Sequence, residues 1–437
     1  MGLLATLLSE LKAVCGGFPD KRGGRAGNIW MADFGLSAFS MFFMQSASFL
    51  SFQRTLDKGH GRSNCQTLFG IETIPSDNYI RDNLDPVDPS HLQPCFTRIE
   101  TLFDEKPALR QAFSRLGGRT LIAWDGTEYF NSYKIKCPHC LTRKRSNGTI
   151  ECYHTMLSAT IVAPGTPRVV PLMPEFIAKQ DGAEKQDCER NGAKRWFEKH
   201  AARVANLNPV YLGDDLFACE PIAWMIKANG DDFIFTCKEA SHKTLYDFIH
   251  GATKQQHEEK VRKRGTNETF RYRWIEDVPL RDGKDAMNVN WIGFQILDAK
   301  GKVKYTMAWV TSLPVSKENV AEIVACGRAR WKIENESFNV LKNHGYELAH
   351  NFGHGKQFLA MNLAAFNLLA FAWHSILDLL EPPWQKAREA AGKRTSFFST
   401  IIALTTYLIF PDWPTFLESL ASFEIPENIL KSHNFPT

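Results

Sequence analysis

The stretch that most constrains this chain is Arg328-Ala329-Arg330-Trp331-Lys332-Ile333-Glu334-Asn335-Glu336-Ser337-Phe338-Asn339-Val340-Leu341-Lys342. Neither Gly nor Pro interrupts it, so the spacing predicts one helix. With Glu334 at zero on a wheel of about 100° per residue, Trp331, Phe338 and Leu341 share its side, while Lys332, Asn335, Glu336 and Asn339 lie opposite. Glu334 is therefore expected on the packing face and Glu336 on the solvated one. A carboxylate on a packing face is costly unless its charge is compensated. Two compensators are available. Arg330, one turn earlier, can form a half-buried ion pair; alternatively, a divalent cation can be held together with other carboxylates.

The remaining sequence bears on that choice. The chain has 437 residues, of which 44% are hydrophobic and 23% charged, enough for two to four globular domains. A net charge of +4 is compatible with a nucleic-acid partner without requiring one. The most apolar run, Phe358 to Leu380, is broken by Asn362, Asn367, His374 and Asp378 at helical spacing, and reads as a buried core helix and not a membrane span. Ten cysteines without a secretory signal point to a reducing compartment, hence to free thiols or metal ligands, and a cytoplasmic location is expected.

Two apolar runs each end in acid. Thr120-Leu121-Ile122-Ala123-Trp124 leads into Asp125-Gly126-Thr127, and Pro209-Val210-Tyr211-Leu212-Gly213 leads into Asp214-Asp215. Both read as buried strands that deliver a carboxylate at their ends. Asp-Gly is also an ordinary turn signal, and Asp215 suits a helix N-cap. Two strand-end acids and one on a packing helix can converge on a pair of hard cations such as Mg²⁺ or Mn²⁺, which prefer oxygen ligands. Such a pair supports in-line phosphodiester displacement.

Between the first two acids lies Cys137-Pro138-His139-Cys140, followed by Cys152-Tyr153-His154. Cys137, Cys140, Cys152 and His154 suit tetrahedral zinc, with His139 as a substitute ligand; a loop with incidental cysteines is the alternative. Cys152 and His154 are two apart and so share one face of a strand. Residues 1–115 read as a helical domain, with a capped helix start at Ser76 and with Arg54, Lys58, Arg62 and Arg81 available for phosphate. Residues 232–312 are β-rich. Within them Lys254 to Arg273, including Arg262, Lys263 and Arg264, interleave basic and aromatic residues in a manner suited to DNA, although a solvated loop would look the same.

Asp125-Gly126-Thr127, the strand ending in Asp214, and Arg330-Trp331-Lys332-Ile333-Glu334 resemble the motifs of a DDE transposase of bacterial insertion sequences, in the branch marked by Tyr-x2-Arg-x3-Glu-x6-Lys. The resemblance covers about residues 119–380. It implies an α/β fold: an RNase H-like catalytic core in two halves, 116–231 and 313–380, the first carrying the zinc loop 137–154. It further implies that the core is interrupted by a β insertion domain at 232–312, preceded by a helical DNA-binding domain at 1–115 and followed by an extension at 381–437. It implies catalysis by Asp125, Asp214 and Glu334 with Mg²⁺ or Mn²⁺, and cut-and-paste transposition of double-stranded DNA by a homodimer synapsed on that DNA, in a nucleoid-associated setting. Arg330 and Lys342 would contact DNA, and Trp309, two residues out of register with the family's Trp, would stack on a flipped base, the alternative being a core Trp. Gly327 stands where the Tyr belongs, and Lys342 falls one residue late, about 80° round an α-helical wheel. Rival readings are an RNase H-like nuclease without strand transfer and a DNA-binding protein without catalysis.

Overall fold

A computed structural model describes residues 2–22, 29–46, 60–179, 188–263 and 265–432. Arg54, Lys58 and Arg264 lie outside the described residues, as do the side chains of Arg62 and Lys263. The protein is α/β, with helices around one mixed sheet of 12 strands. The strands are β1 (Ser114–Arg115), β2 (Arg119–Ser132), β3 (Leu141–Lys144), β4 (Ile150–Val162), β5 (Val170–Pro171), β6 (Glu175–Ile177), β7 (Pro209–Gly213), β8 (Asp232–Thr236), β9 (Gln255–Lys263), β10 (Thr266–Pro279), β11 (Asn288–Leu297) and β12 (Val303–Thr311). Their order is β3-β4-β2-β7-β8-β12-β11-β10-β9, with β1 added to β2, and β5 and β6 to β4.

The centre is half parallel. β2 runs antiparallel to β4 but parallel to β7, and β7 runs parallel to β8. Leu121, Ile122, Ala123 and Trp124 of β2 and Val210, Tyr211 and Leu212 of β7 are all buried. Continuous apolar runs of this kind suit strands covered on both faces. The β-rich stretch is an antiparallel meander, β9 to β12, that joins the same sheet because β12 pairs with β8. Residues 232–236 thus belong to the central sheet as much as to the meander.

The helical residues gather around one helix, Leu359–Leu380. By length and composition it could cross a membrane, but it is packed inside the protein, as its polar interruptions predict. Asn362 Nδ2 donates to Leu84 O and Val87 O, and Asn367 Nδ2 to Tyr346 O. Every residue of the neighbouring helix Met31–Phe43 is buried, and Ser76 caps the helix Asp77–Leu84 through Tyr79 N–H. The segment after Glu381, expected as an extension, folds back onto the N-terminal helices. Asn64 bonds Thr405 O, Leu408 O and Phe410 N–H, and Trp413 Nε1 donates to Leu68 O.

The predicted single helix from Arg328 to Lys342 is three pieces. An α-helix ends at Arg328 and a turn occupies Ala329 and Arg330, where Lys332 and Ile333 donate back only three residues, to Ala329 O and Arg330 O. A π-helical turn then spans Ile333–Phe338, and α-helix resumes at Asn339–Asn343. Ile333, Ser337, Phe338 and Leu341 are buried along this segment, a spacing that the wider π turn accommodates. Trp331, expected inside, is exposed because the turn at Arg330 breaks the wheel.

Candidate functional site

The two aspartates meet because of strand register. Ala123 pairs with Leu212 at the end of the parallel β2–β7 ladder, and Asp125 and Asp214 each lie two positions further on. β2 continues to Ser132 against β4, so Asp125 marks the end of the β7 pairing and not the end of its strand. Clefts beyond the carboxyl ends of parallel strands are where α/β sheets bind ligands. Asp214 turns the chain by accepting Leu216 N–H at 2.9 Å. Asp215, expected as an N-cap, instead accepts Lys238 N–H at 2.6 Å, because no helix starts before Glu220.

Glu334 completes the group. Arg330, buried on the turn, lies 2.9 Å from Glu334 Oε1 and 3.3 Å from Asp125 Oδ2. The ion pair expected from the wheel exists, and the same guanidinium also reaches the strand acid. Burial pushes the Asp125 carboxyl up to about 7; Arg330 opposes this, while Glu334, Asp214 and Glu189 add to it. Asp125 is therefore poorly solvated, and three other carboxylates lie near enough to act on it. Glu336 is half-exposed and makes no ion pair among the described residues.

Glu189 is an acid that no motif announced. It opens the helix Glu189–Val204, and burial followed by the Asp214 charge raises its pKa. A Cβ on Gly126 would come within 2.0 Å of Glu189 Oε1, so the glycine after Asp125 is what lets this carboxylate approach. In the sequence Gly126 reads only as part of an Asp-Gly turn, with nothing that points to Glu189. Glu189, Glu128, Thr127 and Tyr153 line an open cleft beside the acids.

Lys342 lies among these groups as well. It is half-buried, and the Asp125 and Glu128 charges favour its ammonium against the larger effect of burial, which lowers its pKa. The π turn explains its late position. An i→i+5 turn takes in one residue more than an i→i+4 turn and rotates the residues beyond it by about 100°. Lys342, eight residues after Glu334, thereby takes the orientation of a seventh residue in an uninterrupted α-helix. Leu341, at the expected spacing, is fully buried.

Trp309 must be reassigned. It is 2% exposed and cannot stack on a base as placed. Its indole occupies the space beside Gly327, where a Cβ would lie 2.8 Å from Nε1. Any side chain at position 327 would collide with that indole, so Gly327 and the buried Trp309 go together. On the meander, Arg262 and Lys260 are exposed, but Arg271 pairs with Glu258, Arg273 bonds Gln256, and Lys254 is held by Ile249 O and Ala252 O. Arg81 is likewise engaged, by Asp77 and by Phe352 O.

Among the described residues one group of Cys, His, Asp and Glu side chains has its donor atoms close enough together to hold a metal ion: Cys137, Cys140, His154 and His354; the carboxylates of Asp125, Asp214 and Glu334 do not form such a group. The expected ligand set is thereby corrected: Cys152, two residues before His154 on the same strand, has its thiol outside the group. Cys152 pairs instead with Ser132 and Thr142, toward the hairpin tip. His139 stacks on Phe358 at 4.9 Å and is not a member either. The Cys137 thiol is brought down to about 7, chiefly by its hydrogen bond with Cys140.

Neither protein-family models nor curated proteins yield a match to this chain.

Proposed function

We propose that this chain is a DDE transposase whose RNase H-like core cuts and rejoins double-stranded DNA. The observation that carries the reading is the convergence of Asp125, Asp214 and Glu334, from two neighbouring parallel strands and a π-bulged helix, with Arg330 between them. The oxygen-only donor set is of the kind hard divalent ions prefer, and a cation beside Asp125 would relieve the burial and like charges that act on it. Mg²⁺ or Mn²⁺ held by these three residues would activate a water or a 3′-hydroxyl and stabilise the leaving oxygen of the phosphodiester. The half-parallel strands β2, β7 and β8, with acids at the end of the β2–β7 ladder, support the RNase H-like core. The meander β9 to β12 supports a β insertion between Asp214 and Glu334.

The chain's own groups have separable tasks. Arg330 orients Asp125 and Glu334 and offsets their repulsion. Lys342 presents an ammonium at the mouth of the crevice for a DNA phosphate, a contact that positions DNA without reading its sequence. Glu189 adds a fourth carboxylate beside Asp214. Arg262 and Lys260 extend the basic surface along the meander, and the N-terminal helices supply further DNA contact. Synapsis of two DNA ends requires two copies of the chain. The softer thiol and imidazole donors of the second cluster suit zinc and not Mg²⁺.

The test uses DNA carrying the sequences that flank this reading frame. Mg²⁺-dependent nicking at the element ends, followed by joining of the free 3′-end into a plasmid, is expected. Nicking without joining would leave a nuclease, and binding without nicking in Mg²⁺ or Mn²⁺ would leave a DNA-binding protein.

A further inference from the structure

We propose that Cys137, Cys140, His154 and His354 bind one zinc ion as a closed structural site, and that this site clamps the loop after the catalytic helix, and with it the N-terminal helices, onto the central sheet. The clamp rests on the zinc reading of the cluster and is independent of any activity at the acids.

The geometry carries the assignment. Sγ of Cys137 and Cys140 are 3.8 Å apart; His154 Nε2 is 3.4 Å from each sulfur; His354 Nε2 is 3.4 Å from Cys140 Sγ and 3.1 Å from His154 Nε2. A tetrahedral zinc with Zn–S of about 2.3 Å and Zn–N of about 2.0–2.1 Å needs ligand atoms about 3.3–3.8 Å apart. His354 Nδ1 lies 3.0 Å from Gly355 O, the hydrogen bond that fixes the proton on Nδ1 and turns the Nε2 lone pair toward the cluster. Cys140, His154 and His354 are buried, so their polar atoms need a partner. Four protein ligands leave no open position, which makes the site structural and not catalytic.

The ligands come from elements far apart in sequence. Cys137 and Cys140 form a knuckle between β2 and β3, His154 lies on β4, and His354 lies in the loop before Leu359–Leu380. That loop is held from its other side by the N-terminal helices. The Asp85 carboxylate accepts N–H groups of Lys356, Gln357 and Leu359, Asp85 O accepts Phe358 N–H, and Arg81 Nε donates to Phe352 O. An anion at this position also favours the start of the long buried helix. The ion would therefore join the sheet, the loop and the helical body at one point.

The test is metal content of the full-length chain, purified under reducing conditions and loaded with Zn²⁺ or Co²⁺. One equivalent of zinc is expected, with the visible spectrum of tetrahedral, thiolate-ligated cobalt after substitution. Cys152→Ser should retain the full equivalent and the same spectrum. His354→Gln should lose most of the bound metal, and His354→Cys should restore it with a spectrum shifted toward three thiolates. Chelation of the wild type should expose residues 347–358 to protease ahead of the rest of the chain. Absence of zinc from the wild type, a Cys137–Cys140 disulfide in its place, or loss of metal in Cys152→Ser with retention in His354→Gln would overturn the site. Unchanged proteolysis after complete removal of zinc would overturn the clamp.

Discussion

The acid cluster and the thiol–imidazole cluster are both polar groups assembled from distant segments, yet they are built on opposite principles. At the acids, like charges are brought together against burial and against one another, and a single guanidinium reaches two of them. At the Cys/His cluster, two thiols and two imidazoles have their donor atoms close enough for one small ion. The first arrangement holds charge in tension beside an open cleft, as suits chemistry on a bound substrate. The second leaves no room for a substrate and suits only structural support. Whether the ligands of a site leave a position open thus tells catalysis from scaffolding.

Removing charge from the acids should have the largest effect. Asp125→Asn and Asp214→Asn should each reduce DNA nicking by roughly 10³-fold or more while leaving DNA binding near wild type. The double substitution should be little worse than either alone, since the residues act as a unit. Additive losses, measured as initial nicking rates, would mean that the aspartates act separately.

A smaller effect is expected at Lys342. Lys342→Ala should weaken DNA-dependent activity by about ten- to a hundredfold, the equivalent of about 1.5–3 kcal/mol for a hydrogen bond to a charged group. Moving the lysine to the uninterrupted α-helical spacing, by Leu341→Lys with Lys342→Leu, should fail to rescue activity and should lower thermal stability, because position 341 is fully buried. Restored activity in that double variant would show that the π turn does not set the register.

Legibility in the sequence tracks the range of the interactions. The apolar runs that lead to Asp125 and Asp214 were legible because they are local, although β2 runs on past Asp125 to Ser132. The Arg330–Glu334 ion pair was legible because the two residues are four apart, although the packing-face position expected for Glu334 was not met, its side chain being over a third exposed. The wheel failed at Trp331 and needed the π turn at Lys342, because a tight turn and one extra residue leave no mark in apolar periodicity. Cys137 and Cys140 announced themselves by spacing, but the fourth ligand, His354, lies 200 residues from His154 in sequence, and only the packing of the long buried helix brings it close. Trp309 looked available because strand alternation cannot tell which face another helix covers; Gly327 makes that cover close enough to bury it. The C-terminal helices carried no motif, and their place against Asn64 and Leu68 is a product of tertiary packing alone.

A buried acid outside both clusters extends the contrast. Glu100 is buried, neither carboxylate oxygen has a hydrogen-bond partner among the described residues, and burial pushes its pKa from 4.5 to about 7. Its folded-state pKa is raised, so its contribution to stability is fully present below about pH 4.5 and is lost as pH rises to about 7. Glu100→Gln should therefore raise unfolding stability at pH 8 by about 1–3 kcal/mol and flatten the pH profile between those values, as read by denaturant titration. A loss of stability would show that Glu100 is held by a partner as the cluster acids are.

Two glutamates two residues apart provide the decisive experiment on the acid cluster. Glu334→Gln and Glu336→Gln remove the same charge from the same π turn, and only Glu334 faces Asp125 through Arg330. Mg²⁺-dependent nicking of DNA carrying the element ends should be abolished in Glu334→Gln and nearly normal in Glu336→Gln, with both proteins binding that DNA. Nicking by Glu334→Gln at the wild-type rate would contradict the account, as would an inactive Glu336→Gln that still binds DNA.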